Sequence, residues 1–160
     1  MKVTASVIER DLGLSKIEKK LNLVDGSGLA VGVFHDAKDE EGTQVAEYAA
    51  ANEFGVQSKN IPERSFMRST FDENFQKYVD ITGGDVEAMA ENSIEAVRML
   101  FDLGAEMTND IKRKIKSNIP PANTPETKAA KRGGNKTLID TGAMRNSIKF
   151  RIFKDKEQIK

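Results

Sequence analysis

The feature that most constrains the fold is a helical periodicity that runs from Asp85 to about Ser117. Apolar or small residues recur there at alternating steps of four and three, as on one helix face: Ala90, Ile94, Val97, Phe101, Gly104, Thr108, Ile111 and Ile115. A second row, Ala96, Leu100, Leu103 and Met107, lies about 100° around the helix. We therefore expect a long helix with two apolar sides, one packed on a sheet and the other on a neighbouring surface. A coiled coil is disfavoured because Gly104 and Thr108 are poor seam residues.

Shorter patterns before this helix predict two strands and two helices. The stretch "KVTASVI" alternates apolar and polar residues, and "LAVGVF" (29–34) is an apolar, β-branched run; both are typical of strands. Residues 14–24 show the spacing of a short amphipathic helix. An Ala-rich helix is expected over 43–52, with Gly55 available to end it.

After the long helix, the chain contains a segment rich in Pro and Gly and then a last strand. Residues 119–136 hold three of the four prolines and no large apolar residue after Ile119, so we expect a long, mobile and structureless loop. Asp140 or Thr141 can cap a short helix through Met144, and "SIKFRIF" alternates as a strand. The expected architecture is one α+β domain over 1–160, with a small, mainly antiparallel sheet packed on one long helix and two shorter helices.

Composition removes most catalytic functions. The 160 residues include no Cys and only one His, His35, so thiolate chemistry and the common zinc ligand sets are excluded. No G-x-S-x-G or phosphate-loop motif is present, and we expect neither an enzyme nor a cofactor. The 25 basic and 25 acidic side chains balance, and no apolar run has the length of a membrane span, so an electrostatic partner requires a local patch.

Two basic segments are candidates for such a patch. "IKRKIK" (111–116) and "KAAKRGGNK" (128–136) lie close together in the sequence and can contact phosphates. Cations are also favoured at the negative end of a helix, so a solvated helix terminus is the alternative. The candidate residues facing DNA are Lys112, Arg113, Lys114, Lys131 and Arg132.

The stretch "NEFGVQSKNIPERSFMRST" (52–70) predicts a shaped connection between helices. Gly55 can end one helix, Pro62 fixes its φ angle, and Thr70 with Glu73 has the spacing of a capping box for the next helix. Its apolar anchors and flanking cations suit either docking on a partner or packing in the domain's own core: Phe54, Ile61, Arg64, Phe66, Met67 and Arg68.

Several of these segments, taken in order, resemble a known group. "VAEYAAANEFG", "IPERSFMRSTFDEN", a long helix ending "NDIKRKI", a Pro-rich loop and "LIDTGAMRNSI" are similar to the neck and tail-completion proteins of tailed bacteriophages. That group includes the lambda-type tail protein Z and the Mu-type virion-morphogenesis proteins. The similarity spans roughly residues 31 to 150, with Ser65 and Ser69 where proline is more usual.

The resemblance implies a structural virion protein without catalysis, located where the tail meets the head or required to finish the tail. We expect a homo-oligomeric ring at the neck or upper tail, assembled in the host cytoplasm and then part of the virion. Its expected partners are other neck, connector or tail proteins, with weak, non-specific contact to DNA in the channel and none to membranes. The alternative is a small nucleic-acid-binding protein that uses 111–116 and 128–136. Candidate ring-interface residues are Phe54, Ile61, Arg64, Phe66, Arg68, Leu100, Leu103 and Met107.

Overall fold

The computed structural model of the chain describes residues 27–83, 93–132, 135–154 and 157–158. The strand predicted at "KVTASVI", the helix predicted over 14–24 and the first turns of the helix predicted from Asp85 lie outside these residues.

The described strands form one antiparallel sheet in the order β1, β2, β3, with β1 at Ser27–Val33, β2 at Ile148–Lys154 and β3 at Glu157–Gln158. In the register of the first pair, Leu29 lies opposite Ile152 and Val33 opposite Ile148. The strands predicted from the apolar run "LAVGVF" and from the alternation in "SIKFRIF" are therefore confirmed.

The described helices include one that is much longer than the rest. They are α1 (Val45–Phe54), α2 (Arg68–Gly83), α3 (Ser93–Lys116), α4 (Pro125–Ala130) and α5 (Ala143–Asn146), with a 3-10 turn at Gln57–Lys59. The long helix α3 packs against β1 and β2 on one side and against α2 on another. The predicted α+β class, with an antiparallel sheet on one long helix, is confirmed.

Helix α3 comes very close to the sheet at Gly104. A Cβ atom built there lies 2.6 Å from Cδ2 of Phe150 on β2 and 2.9 Å from Cδ1 of Leu29 on β1. One turn earlier, the Phe101 ring meets the Phe150 ring edge to face, with centroids 5.0 Å apart. Because Gly104 has no side chain, the helix backbone comes close to two side chains of the sheet, the aromatic ring of Phe150 and the aliphatic chain of Leu29.

The apolar row of α3 is buried over only part of its length. Gly104, Thr108, Ile111 and Ile115 are buried, but Val97 is 36% exposed and Phe101 is 56% exposed. These two residues of the predicted apolar face are thus partly exposed, although the Phe101 ring also contacts Phe150. A helix of 24 residues is about 36 Å long, whereas a strand of seven residues spans about 23 Å, so α3 extends past the paired strands.

The core joins parts of the chain that are far apart in sequence. It comprises Val45, Ala49, Phe66, Ile111, Ile115, Leu138, Met144 and Ile148. Leu138 and Met144 follow the predicted loop directly, so the chain returns to the core as soon as that loop ends.

The segment 119–136 is not structureless where the structure describes it. It contains α4, whose N-cap Thr124 accepts a hydrogen bond from the Thr127 N–H through its side chain and is followed by Pro125. Asn118 and Thr137 close the segment, because Asn118 Oδ1 accepts from the Thr137 N–H at 2.8 Å. The prediction of a loop without secondary structure is therefore wrong for these residues, and the pairing of a Thr N-cap with Pro at the first helical position was the signal available in the sequence.

Candidate functional site

The connection between α1 and α2, residues 55–67, is shaped by one buried carboxylate. Glu53 is 1% exposed. Its Oε2 accepts from the N–H groups of Phe66 at 2.7 Å and Met67 at 2.9 Å. Its Oε1 accepts from the Ser65 hydroxyl at 2.8 Å and the Arg68 N–H at 3.0 Å. A side chain near the end of α1 therefore caps the beginning of α2.

The charge of Glu53 suits this position. Burial opposes ionisation, but the hydrogen bonds from Met67, Arg68, Ser65 and Phe66 outweigh it and lower the pKa of the carboxyl below its ordinary value of 4.5. The positive end of the α2 dipole and the Arg68 guanidinium favour the same negative charge. Glu53 is thus an ionised, satisfied carboxylate inside the domain.

The capping box predicted from Thr70 and Glu73 is absent. Helix α2 begins at Arg68, and Thr70 lies within its first turn, where its hydroxyl donates to the carbonyl of Phe66. Glu73 instead forms an ion pair with Lys114 of α3. The prediction is wrong because the helix begins before Thr70, and Glu53 accepts instead from the N–H groups of Phe66, Met67 and Arg68.

Gly55 ends α1, as predicted, and turns the chain sharply. Its φ is 72°, and a Cβ there lies 2.8 Å from the backbone nitrogen of Glu63. Val56 and Ile61 then exchange backbone hydrogen bonds of 2.8 and 3.1 Å. The connection therefore reverses direction in a tight turn. At its first residue, position 55, any side chain other than that of glycine requires the backbone to rearrange.

The candidate interface residues of this connection divide into buried and exposed groups. Phe66 is fully buried in the core and Arg64 is 5% exposed, so neither side chain lies on the outer surface of the connection. Ile61 is half-buried. Phe54 remains 62% exposed, with the Arg68 guanidinium 4.9 Å from its ring centroid. Of the residues predicted here as an interface, Phe54 and Arg68 present the most surface.

A row of exposed apolar side chains on α2, which we name the α2 stripe, was not among the predicted site residues. It consists of Phe71, Phe75 and Val79, which are 44%, 53% and 39% exposed. They recur every four residues, and the Phe71 and Phe75 rings contact each other with centroids 5.7 Å apart. The spacing was visible in the sequence, but the same spacing is typical of a buried helix face.

Another side of α2 is fixed to α3 by a polar cluster around Asp110. This carboxylate is 4% exposed and accepts from Lys77 Nζ at 2.9 Å and from the Tyr78 hydroxyl at 3.0 Å. Arg113 also donates to it. Burial raises the pKa of Asp110, but the hydrogen bonds from Lys77, Tyr78 and Arg113 outweigh this and lower it. The cluster holds α2 on α3 and leaves the α2 stripe facing outward.

The second apolar row of α3 has an intermediate position. Leu100, Leu103 and Met107 are each half-buried, so they belong neither to the core nor to a fully open surface. The same helix exposes Val97 and Phe101.

The basic residues predicted to face DNA are largely engaged within the molecule. Arg113 pairs with Asp110 and lies 3.5 Å from Glu106, and Lys114 pairs with Glu73. Arg132 lies 3.6 Å from Glu41. Lys112 is half-buried on α3, and Lys131 Nζ donates to two backbone carbonyls. Most of the positive charge in these segments is thus neutralised locally or turned inward.

A cavity of about 770 Å³ lies between α1, the 55–67 connection and the chain from 122 to 144. Tyr48 and Asn52 of α1, buried Leu138 and Met144, and the cations Arg64 and Lys131 are among its lining residues. Asp39, Glu40, Glu41 and Asp140 also line it. No local pattern in the sequence indicates this cavity, because its lining residues come from four separate segments of the chain.

Comparison of the chain with protein-family models, curated proteins and solved structures finds no significant match. Within the described ranges, no helix is long and apolar enough to cross a membrane. The described side chains also contain no group of three or more His, Cys, Asp or Glu residues arranged to hold a metal ion.

Proposed function

We propose that this chain is a structural subunit of a tailed-bacteriophage virion, which forms a ring at the head–tail neck or upper tail and is needed for tail completion or head–tail joining. The observation that supports this best is the α2 stripe, because its exposed apolar side chains lie together on one helix. Lys77 and Tyr78 of the same helix bind Asp110 of α3 and hold the helix in place. Exposed contiguous apolar side chains mark surfaces that another protein covers.

A ring subunit needs a second, different surface that receives the first one, since a head-to-tail contact closes only when it joins two unlike patches. Phe54 of α1, and Val97 with Phe101 of α3, are exposed apolar groups on helices other than α2. Each contact can be weak, because copies repeated around an axis bind their neighbours jointly. Assembly in this proposal depends on complementary interfaces, without a chemical step.

The alternative function, nucleic-acid binding, has less support. Arg113, Lys114 and Arg132 lie near carboxylates, and the chain has no net charge. We expect weak, non-specific DNA affinity at physiological salt, with a dissociation constant of about 10⁻⁶ to 10⁻⁴ M or weaker. Sequence-specific binding at nanomolar protein concentration would reverse the ranking of the two functions.

The test of the ring combines light scattering with negative-stain electron microscopy of the purified protein, alone and with tail extracts. We expect closed rings for the wild-type protein and their loss in the double variant Phe71→Ser, Phe75→Ser. The matched control is Gln76→Ser, a polar exposed position on the same helix, which should still form rings. A wild-type protein that stays monomeric in all conditions and is absent from purified virions contradicts the proposal.

A further inference from the structure

Arg64 is a buried cation whose partners in the structure are neutral. Its side chain donates from Nε to the carbonyl of Pro121 at 2.9 Å and from one terminal nitrogen to Asn123 Oδ1 at 3.1 Å. It forms no ion pair with any carboxylate of the described residues, and burial alone lowers its pKa. A guanidinium carries five N–H donors, so these two bonds leave part of its donor capacity for the cavity that it lines.

Lys131 brings a second cation to the same cavity. Its Nζ donates to the carbonyls of Lys136 at 3.0 Å and Thr137 at 2.8 Å, so its direct partners are again neutral. Burial lowers the pKa of Lys131; the charge of Asp140 opposes this and the charge of Arg64 adds to it. Two positive charges therefore act on each other across this part of the lining.

Three of the four carboxylates of the lining, those of Asp39, Glu41 and Asp140, have other partners. Asp39 Oδ1 accepts from the N–H groups of Glu41 and Thr43 at 3.0 and 2.9 Å. Asp140 Oδ1 accepts from the Arg132 N–H at 2.7 Å, and Glu41 faces the Arg132 side chain. A buried charge is costly unless a counter-ion and hydrogen bonds compensate it. Among the described residues, no carboxylate forms an ion pair with Arg64 or Lys131, although the charge of Asp140 acts on Lys131.

We propose that this cavity is a carboxylate-binding site, which receives an Asp or Glu side chain from a peptide segment of a partner protein. The planar guanidinium of Arg64 matches the two oxygens of a carboxylate. Buried Leu138 and Met144 offer apolar contact to the carbon chain of the ligand and its neighbours. Ligand cavities have volumes of about 300 to 1,000 Å³, and at about 770 Å³ this one exceeds the needs of a single side chain.

The charges of the lining favour such a peptide over a nucleic acid. Glu40 and Glu41 are exposed members of the lining, and they repel a polyanion that carries many phosphates. A segment with a single acid among neutral or basic residues places its negative charge at Arg64 and Lys131 and its other residues near these glutamates. The site stands on the cavity itself and does not depend on the ring proposal.

The experiment is a titration of the ¹⁵N-labelled protein, followed by amide NMR shifts, with butyrate, butyramide and inorganic phosphate, and with N-acetyl-Ala-Glu-Ala-amide and its Gln analogue. We expect butyrate and the Glu peptide to shift the amides of Asn123, Thr137 and Thr141, with dissociation constants on the order of 1 mM. The neutral butyramide and the Gln peptide should bind at least about tenfold more weakly.

Variants separate the site from general surface charge. Lys131→Gln should weaken butyrate and Glu-peptide binding by about tenfold, and Arg64→Gln should abolish it if that variant folds. Lys128→Gln, an exposed position of α4 outside the lining, is the matched control and should bind as the wild type does.

Equal shifts with acid and amide ligands, shifts with phosphate alone, or an unchanged affinity in Lys131→Gln each overturn the proposal. Binding of butyrate without binding of the Glu peptide overturns the peptide ligand. Electron microscopy measures ring formation and the NMR titration measures carboxylate binding, so each proposal can fail independently of the other.

Discussion

Arg68 donates two hydrogen bonds to a single oxygen of Glu53, from its backbone nitrogen at 3.0 Å and from Nε at 3.1 Å. The two residues belong to different helices, so this contact fixes the direction in which α2 leaves the 55–67 connection. Replacement of the carboxylate by an amide places an NH₂ group among donors that need an acceptor. We expect Glu53→Gln to lower the free energy of unfolding by about 2 to 4 kcal/mol, measured by urea denaturation.

Glu47→Gln provides the control for this variant, because Glu47 lies on the same helix and is exposed. It should change the unfolding free energy by less than about 0.5 kcal/mol. Equal effects of the two substitutions would show that the cap of α2 contributes no more than surface charge.

The depressed pKa of Glu53 predicts a pH dependence of stability. The unfolded chain binds a proton near the ordinary value of 4.5, whereas the folded protein does so only at lower pH. The stabilisation is therefore present above that value and is lost as the pH falls through the folded pKa. Denaturation curves from about pH 7 to about pH 3 should show the difference between wild type and Glu53→Gln shrinking toward acid.

Asp110 contributes to acid sensitivity in the same direction, since its pKa is also lowered from 3.8. The wild type and Glu53→Gln both retain Asp110, so its effect cancels in their difference. A difference that stays constant over the whole range contradicts a lowered pKa at Glu53.

Gly104 predicts an unusual outcome for a helical glycine. Alanine at an ordinary helix position stabilises by about 1 kcal/mol, but here its methyl group lies 2.6 Å from Phe150 Cδ2. We expect Gly104→Ala to lower the free energy of unfolding by about 1 to 3 kcal/mol. Gly28→Ala, where nothing lies within 4 Å of the added Cβ, should be nearly neutral.

A second substitution shows whether the clash is the cause. Combining Gly104→Ala with Phe150→Leu removes the ring that the methyl group meets, so the double variant should recover part of the loss beyond additivity. If the two changes in unfolding free energy are strictly additive, the clash with the Phe150 ring is not the reason that Gly104→Ala destabilises the protein.

Limited proteolysis tests the segment 119–136. Within this segment we expect trypsin to cut after Lys128 before it cuts after Lys131, because Lys128 lies on exposed α4 whereas Lys131 Nζ is held by two carbonyls. Mass spectrometry over a time course identifies the order of cleavage. In assembled particles both sites should become slower to cut if a neighbour orders the segment, and cleavage first at Lys131 argues against the contacts described here.

The sequence predicted the parts of the fold that depend on local periodicity. The alternation in "SIKFRIF" and the spacing around Ile111 and Ile115 follow from side chains that repeat every two or every 3.6 residues, and "LAVGVF" is a β-branched apolar run. The exposure of Phe71 and Phe75 was not predictable in this way. Apolar residues recur every four positions on a helix face whether another element covers that face or not. Whether the face is buried depends on where α3 packs, which the spacing does not contain.

The site depended on contacts that local patterns do not contain. Glu53 caps a helix that begins fifteen residues later, across a connection whose path is set by Gly55. Arg64 looked like a surface cation beside Pro62, but its partners Pro121 and Asn123 lie more than fifty residues away. Charged residues are seldom buried unless such distant groups receive them, so the sequence favoured an exposed position.

The pairing of β1 with β2 also has a consequence for the order in which the protein forms. Ser27 lies opposite Lys154, and Val33 opposite Ile148, so every rung of this ladder closes a loop of more than a hundred residues. Contacts between such distant positions slow folding, because chain entropy is lost before the contacts stabilise anything. During synthesis β1 has no β2 partner until the ribosome has released residues 148–154, and Gly104 of α3 lacks its contact with Phe150 until then. The helices α1 and α2 can pack earlier, but this ladder is completed only after the intervening chain has been made.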